Sequence, residues 1–203
     1  MRKVLLTDPP YGSLKHFAWD VPPLDMILEL SKECEALVLC CNHKLLQDLI
    51  RLNMKQPFHD LIVWNKTPKR TWCSWSKPLR SAEFVSFWGE ASQFDFRKSL
   101  EPQPPYPMNQ RGKESHCKPI ERKQRSHSYR MYEMVWDIPV VKNKVHPTEK
   151  PDELFRRLIK IVTQGKPETL IIDPFCGSNV TGKICNELGI KCETSDNGGW
   201  KNG

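Results

Sequence analysis

Hydrophobic residues in the first half of the chain form short apolar runs that alternate with stretches of helical spacing. Runs of this length are typical of buried strands, and apolar residues three or four positions apart predict helices. The predicted elements are, in order, strand Lys3–Leu6, helix Leu24–Leu30, strand Ala36–Cys41, helix Leu45–Ile50, strand Asp60–Trp64 and strand Glu83–Trp88. Because strands alternate with helices, the pattern indicates an α/β fold with a doubly wound, mostly parallel sheet.

The periodic pattern stops near residue 96 and returns near residue 134. Prolines cluster between 102 and 107 and polar residues dominate, which predicts an insertion with little regular structure. The elements predicted after it are strand Met134–Ile138, a helix opened by Pro151, strand Leu170–Ile172, helix Val180–Leu188 and strand Ile190–Thr194. We therefore divide the chain into residues 1–95, an insertion at 96–133 and residues 134–203.

Composition indicates a globular chain with reduced thiols. Hydrophobic residues make up 38% and charged residues 27%. No apolar run approaches the ~18 residues of a membrane span, and the N-terminus lacks a signal-peptide core. The eight cysteines form no CxxC pair, so we expect no metal site and a cytoplasmic location. Buried, reduced thiols are expected at Cys40, Cys41, Cys176 and Cys192.

The formal net charge of +7 is concentrated in the predicted insertion. Residues 97–130 contain nine Lys or Arg and three Glu, a net charge of +6. Histidine, tyrosine, asparagine and glutamine accompany them, and these residue types suit phosphate and base contacts. A charge run is also typical of a solvated surface, so both interpretations stay open. Together with a second basic loop, the candidate nucleic-acid contacts are Lys66, Lys69, Arg70, Asn109, Gln110, Arg111, Lys113, Arg122, Lys123, Arg125 and Arg130.

A first chemical motif, Asp8-Pro9-Pro10-Tyr11, follows a predicted buried strand and therefore lies at the carboxyl edge of the sheet, where ligands bind in open α/β folds. The amino group of adenine or cytosine is a poor nucleophile because its lone pair is delocalised into the ring. The Asp8 carboxylate and the Pro9 carbonyl can accept both N–H hydrogens and turn the lone pair toward an electrophilic methyl group. Tyr11 can stack on a base that has left the duplex. The alternative is an ordinary proline turn after a strand.

A second motif, Asp173-Pro174-Phe175-Cys176-Gly177-Ser178, stands between a predicted strand and a predicted helix. Glycine allows close approach of the backbone to a ligand, and a helix N-terminus favours a carboxylate. Asp196 ends the next strand, 19 positions after Gly177. That spacing is close to the ~20 residues at which an acid contacts ribose hydroxyls in nucleotide-binding units, which favours an adenosyl-type ligand.

A third motif, His146-Pro147-Thr148-Glu149-Lys150-Pro151, leads into a predicted helix. The three motifs, in this order, resemble the β group of DNA amino-methyltransferases, in which a DPPY motif, a target-recognition insertion and a cofactor loop follow one another. The resemblance extends to Asp60–Pro68 (DLIVWNKTP), Glu83–Glu90 (EFVSFWGE) and Val135–Pro139 (VWDIP). It covers almost the whole chain.

The resemblance implies a class I methyltransferase sheet of seven mostly parallel strands and direct methyl transfer from S-adenosylmethionine, which leaves S-adenosylhomocysteine. A DPPY motif, rather than a serine-led one, favours adenine N6 over cytosine N4. Residues 1–95 would be the catalytic half, residues 96–133 the target-recognition insertion facing double-stranded DNA, and residues 134–203 the cofactor-binding half. The implied catalytic residues are Asp8, Pro9, Pro10 and Tyr11, and the implied cofactor-binding residues are Thr148, Lys150, Asp173, Phe175, Gly177, Ser178 and Asp196.

The family also implies a restriction-modification context in a bacterial or phage-infected cytoplasm, and often a homodimer. Two departures qualify the resemblance. Asn179 replaces a usual glycine, a mild change because asparagine tolerates unusual φ values. Relatives also carry a strand before DPPY that contacts the cofactor adenine, so we expect a sheet lacking one edge strand and a cofactor pocket lacking one wall. The alternatives are a DNA-binding relative that methylates poorly or needs a partner chain, cytosine N4 specificity, and an RNA substrate.

Overall fold

The computed structural model describes residues 1–14, 17–67, 75, 81–101, 129–142 and 149–196. The chain divides into one unit formed by Met1–Asp95 and Glu133–Gly203 and a second formed by Phe96–Tyr132. The first unit contains these elements, in chain order: β1 Arg2–Thr7, α1 Leu24–Glu33, β2 Ala36–Cys41, α2 His43–Arg51, β3 Phe58–Thr67, β4 Ala82–Trp88, a 3-10 turn Ala91–Gln93, β5 Val135–Pro139, α3 Asp152–Thr163, β6 Thr169–Asp173, α4 Val180–Leu188 and β7 Lys191–Thr194.

The strands form one seven-stranded sheet in the order β5-β3-β4-β2-β1-β6-β7. Four neighbouring pairs are parallel, and β4 runs antiparallel to both of its neighbours, β2 and β3. The prediction of a mostly parallel α/β sheet is confirmed. At the centre, β1 lies between β2 and β6, so the strand before the first motif is hydrogen-bonded to the strand before the second.

The core is covered on both faces of the sheet. All six residues of β2 are buried, which is typical of a central strand with helices on both sides. One buried cluster combines Leu5 of β1 and Leu37 of β2 with Ile27 of α1 and Leu45 of α2. Helix α3 contacts β1 and α4, and it buries the predicted apolar face Leu154, Phe155, Leu158, Ile159 and Val162.

The apolar face predicted for α2 was partly wrong. Leu45 and Leu49 are fully buried, whereas Ile50 has an exposed fraction of 58%. Consecutive helical residues are rotated by about 100°, and the face centred on Leu45 and Leu49 points to the sheet. The cysteine prediction also needs correction, because Cys40 and Cys41 are buried free thiols but Cys176 and Cys192 are only half-buried.

The two edge strands of the sheet are β5 and β7. Strand β5 returns after the second unit and pairs in parallel with β3, which brings the number of strands to seven. At the opposite edge, β7 pairs with β6, and no described strand covers its outer side. Among the described residues, no helix is long and apolar enough to cross a membrane.

The described part of the second unit is a small antiparallel pairing. Arg97 pairs with Met131, and backbone hydrogen bonds run from Lys98 N to Arg130 O and from Tyr132 N to Phe96 O. The Arg97 guanidinium lies 4.7 Å from the centre of the exposed Tyr129 ring. The unit bounds, Phe96–Tyr132, fall close to those of the predicted insertion, whose role in target recognition stays a prediction.

Candidate active site

The tetrad Asp8–Tyr11 follows β1 directly at the carboxyl edge of the sheet. Its two polar side chains contact each other, because the Tyr11 hydroxyl donates to Asp8 Oδ1 over 2.5 Å. The Lys150 ammonium, which precedes α3, donates to Asp8 Oδ2 over 2.7 Å and lies 4.9 Å from the centre of the Tyr11 ring. The fold thus joins the first and third sequence motifs, although 142 positions separate Asp8 from Lys150.

Two further charged side chains extend this site across the sheet. Glu83, at the start of β4, lies with Oε2 3.3 Å from Lys150 Nζ. Its other oxygen, Oε1, accepts from Lys66 Nζ of β3 over 2.8 Å. The Tyr11 hydroxyl is 3.4 Å from Glu83 Oε2. Two carboxylates and two ammonium groups therefore alternate in one half-buried cluster.

Burial and mutual attraction set the protonation of this cluster. Burial raises the pKa of Asp8, and the neighbouring Lys150 ammonium opposes that effect. Burial alone would raise the pKa of Glu83, but the charges of Lys150 and Lys66 outweigh it and lower this pKa to about 2. Burial disfavours the Lys150 charge, yet Asp8 and Glu83 raise its pKa above the ordinary value. Glu83 and Lys150 are therefore charged at neutral pH.

The loop after the tetrad is held by a buried carboxylate that the sequence analysis missed. Asp20 Oδ1 accepts from the backbone N–H of Tyr11 over 2.9 Å and from that of Gly12 over 3.0 Å. Its other oxygen accepts from Leu14 N. Gly12 has φ +67°, and a Cβ there would lie 3.1 Å from the Pro22 ring. Asp20 and Gly12 together fix the turn that positions the Tyr11 ring.

The second motif is organised around the buried carboxylate of Asp173, at the end of β6. Its Oδ1 accepts from the Thr7 hydroxyl over 2.5 Å and from Phe175 N over 3.2 Å. Its Oδ2 accepts from the hydroxyl of Thr181 in α4. Thr7 immediately precedes Asp8, so one hydrogen bond ties the strand of the first motif to that of the second.

The rest of the second motif forms the turn between β6 and α4. Phe175 is buried and forms an isolated antiparallel bridge with the exposed Asp196, while Gly177 has φ +49°. Asn179 occupies the left-handed region at φ 58° and caps α4, where its side chain accepts from Gly182 N. The expectation that asparagine tolerates this position in place of glycine is confirmed. Ser178 is half-buried in the same turn.

The remaining predicted site residues are only partly described. Lys66 is paired with Glu83, and Arg130 is exposed in the second unit. Outside the described residues lie Thr148, Lys69, Arg70, Asn109, Gln110, Arg111, Lys113, Arg122, Lys123 and Arg125. The assignments of cofactor and nucleic-acid contacts, including that of Lys150 to the cofactor, stay predictions.

Residues missed from the sequence had weak local signals. Glu83 is an acid at the start of an apolar strand, and such a position is typical of a solvated strand end. Its role becomes visible only once β4 is known to pair with β2. Asp20 lies in a proline-rich loop, and its role depends on three backbone N–H groups that converge on it. Thr7 is the polar last residue of an apolar strand, and its partner Asp173 is 166 positions away. Each role depends on long-range packing.

Comparison with known families matches residues 3–196 to the family model described as DNA methylase, which groups N6 and N4 methyltransferases. Among curated proteins, the DNA adenine methyltransferase YhdJ of Escherichia coli (strain K12) is 25% identical over 235 residues. That alignment covers 93% of this chain and 69% of the relative.

Solved structures share the fold. The M1.HpyAVI–SAM complex is 18% identical with a TM-score of 0.60, and the match covers 96% of this chain and 82% of that one. PvuII DNA methyltransferase, described as cytosine-N4-specific, is 16% identical with a TM-score of 0.65, and the match covers 96% of this chain and 74% of that one.

Proposed function

This chain belongs to the DNA methylase family of N6 and N4 methyltransferases, and we propose that it transfers a methyl group from S-adenosylmethionine to N6 of adenine in DNA. One observation carries the proposal. The tetrad Asp8–Tyr11 and the loop that begins at Asp173 follow adjacent parallel strands, and the hydrogen bond from Thr7 to Asp173 joins them over 2.5 Å. A base at the first motif and a donor at the second would therefore meet at one sheet edge.

Asp8 is suited to accept a hydrogen from the amino group of the target base. One of its oxygens accepts from Tyr11 and the other from Lys150, but a carboxylate offers about four lone-pair sites, so acceptor capacity remains. The Pro9 carbonyl would accept the second hydrogen. With both N–H groups engaged, the nitrogen lone pair turns toward the methyl group and the proton that the nitrogen loses lies beside a carboxylate. The ring of Tyr11 would stack on a base flipped out of the duplex.

The residues at the second motif fit an adenosyl ligand. Gly177 adopts φ +49° in the turn before α4, and the N-terminus of that helix favours the carboxylate of a ligand. Asp196 is exposed two residues beyond β7, where it bridges to Phe175 of this turn, and it has the acceptor chemistry that ribose hydroxyls require. When bound, S-adenosylmethionine supplies an electrophilic methyl group, and the chain contributes orientation and exclusion of water.

Incubation with labelled S-adenosylmethionine and unmethylated DNA, followed by nucleoside analysis, tests the proposal. We expect N6-methyldeoxyadenosine as the product of the wild type. Asp8→Asn keeps the shape of the side chain but removes its charge, and its kcat should fall by several orders of magnitude. Asp48→Asn, which removes a half-buried carboxylate of α2 paired with Arg51, is the control. N4-methylcytosine would assign the other specificity of the family, and DNA binding without transfer would favour a relative that needs a partner chain.

The two predicted cofactor contacts can be separated by calorimetry. Asp196→Ala should weaken binding of S-adenosylmethionine with little change in the pH dependence of transfer. Lys150→Ala should lower kcat more than cofactor affinity, because Lys150 contacts Asp8 and Glu83. Equal losses of affinity and turnover in Lys150→Ala would instead assign this lysine to the cofactor.

A further inference from the structure

Glu83 occupies the centre of the charged cluster but belongs to none of the three sequence motifs. Its two oxygens serve different lysines, with Lys66 at 2.8 Å and Lys150 at 3.3 Å. Lys150 in turn lies 2.7 Å from Asp8. The order along the cluster is therefore Lys66, Glu83, Lys150 and Asp8, and Lys150 is shared between two carboxylates.

The topology of the sheet explains why Glu83 reaches this site. Strand β4 runs antiparallel to β2, with Phe84 opposite Cys41, so β4 begins where β1 and β2 end. Glu83 consequently enters the catalytic edge from a strand that runs in the opposite direction. Its side chain is 20% exposed and that of Lys150 is 6% exposed, so water screens their attraction only weakly.

We propose that Glu83 is a positioning residue that shares the charge of Lys150 with Asp8 and so keeps the Asp8 carboxylate a strong hydrogen-bond acceptor. The inference rests on the proposed function, in which Asp8 accepts a hydrogen from the target amino group. An ammonium bound to Asp8 alone would neutralise that carboxylate more completely. The weakened acceptor would bind the amino hydrogen less tightly in the transition state.

The groups that act on Asp8 come from several elements. Lys150 precedes α3, Glu83 is on β4 and Tyr11 is in the same tetrad, and Cys40 and Cys41 of β2 and Asp173 of β6 complete the set. Lys66 of β3 acts on Glu83. Burial raises the pKa of Tyr11 and of both thiols well above neutrality. Among these groups, only the carboxyls of Asp8, Glu83 and Asp173 therefore titrate in the acidic range.

Glu83→Gln is the first test, with kcat measured at saturating DNA and S-adenosylmethionine across the acidic range. Lys150 then faces one carboxylate, so the acid limb of the profile should move to lower pH and kcat should fall on the order of 10- to 100-fold. Glu29→Gln, which removes an exposed carboxylate paired with Lys32 on α1, is the matched control and should leave both unchanged.

Lys66→Met supplies a second test with the opposite sign. Without its outer partner, the Glu83 charge acts more strongly on Lys150 and Asp8, and the acid limb should move to higher pH. Thr181→Ala marks the Asp173 contribution, because loss of this hydrogen bond moves the Asp173 step without touching the lysines. Saturating DNA separates these effects from any change in DNA affinity.

The outcomes of these experiments distinguish a positioning role of Glu83 from a merely structural one. Opposite shifts of the limb in Glu83→Gln and Lys66→Met, with cofactor affinity and melting temperature retained, support the positioning role. A Glu83→Gln variant whose kcat and acid limb both match the wild type overturns the positioning role. A variant that loses activity together with melting temperature, while the acid limb of its pH profile stays in place, overturns it as well. If Glu83→Gln fails to fold, an unmoved limb in Lys66→Met overturns the proposal by itself. An inactive wild type would instead overturn the proposed function, and this inference with it.

Discussion

Asp173 makes folding stability depend on pH in a defined window. The residue is 2% exposed, and burial raises the pKa of its carboxyl group from 3.8 to about 6, although hydrogen bonds from Thr181, Thr7 and the Phe175 N–H oppose the shift. A carboxyl whose pKa is higher in the folded state than in the unfolded chain binds its proton more tightly when folded. Its contribution to stability is therefore complete below about pH 4 and is lost as the pH rises through about 6.

The size of this effect follows from the shift. A difference of about two pKa units at about 1.4 kcal/mol per unit corresponds to about 3 kcal/mol of unfolding free energy between pH 4 and pH 7. Asp173→Asn keeps the shape and the acceptor oxygen but cannot titrate. The difference in unfolding free energy between wild type and Asp173→Asn should therefore change by about 3 kcal/mol across this window, in favour of the wild type at the acidic end.

Urea unfolding of both proteins at half-unit steps from pH 4 to pH 7 measures this difference. Other groups titrate in the same range, but they are common to both proteins and cancel in the subtraction. Asp25→Asn, which removes an exposed carboxylate of α1, is the control and should run parallel to the wild type. Parallel curves for wild type and Asp173→Asn would refute the argument, and a difference that grows toward acid in the opposite sense would reverse its sign.

Three other perturbations test separate parts of the molecule. Asp20→Ala should lower kcat about tenfold or more, because three backbone N–H groups lose their acceptor and Tyr11 loses its fixed position; steady-state kinetics with unchanged cofactor affinity checks this. Leu158→Ala should cost about 2–5 kcal/mol in urea unfolding, because the side chain is fully buried. Neutralising Arg122, Lys123 and Arg125 together should flatten the slope of log K for DNA against log salt by about 2–3 units, since each phosphate contact contributes about −0.9.

Local periodicity predicted the elements well because each strand and helix carries its own pattern. Ala36–Cys41 and Val180–Leu188 were predicted with their observed bounds, since an apolar run and a glycine at the helix end mark them clearly. Strand β3 was predicted five residues too short, as Phe58–Thr67 extends into polar positions that pair with β4 and β5. Hydrogen bonding to neighbours, rather than residue type, maintains those ends.

The candidate site was predictable where a motif follows a strand and was unpredictable where strands meet. The positions of Asp8 and Asp173 at the carboxyl edge follow from sequence alone, because parallel strands end at one edge. The contact of Lys150 with Glu83 depends on β4 running antiparallel, a choice that no local pattern encodes. Ile50 shows the same limit on a smaller scale, because the four apolar positions of α2 do not indicate which of them is exposed.

The pairing of β1 with β6 also governs how the chain reaches its native state. Arg2 lies opposite Thr169, so the central ladder joins segments from nearly opposite ends of the described sequence. Closing this long loop costs conformational entropy before the stabilising contacts between the two strands can form. During synthesis, β1 leaves the ribosome long before β6 exists, and its free edge is an aggregation hazard in that interval. Conditions that slow translation or raise temperature should therefore reduce the yield of native protein more than its equilibrium stability would suggest.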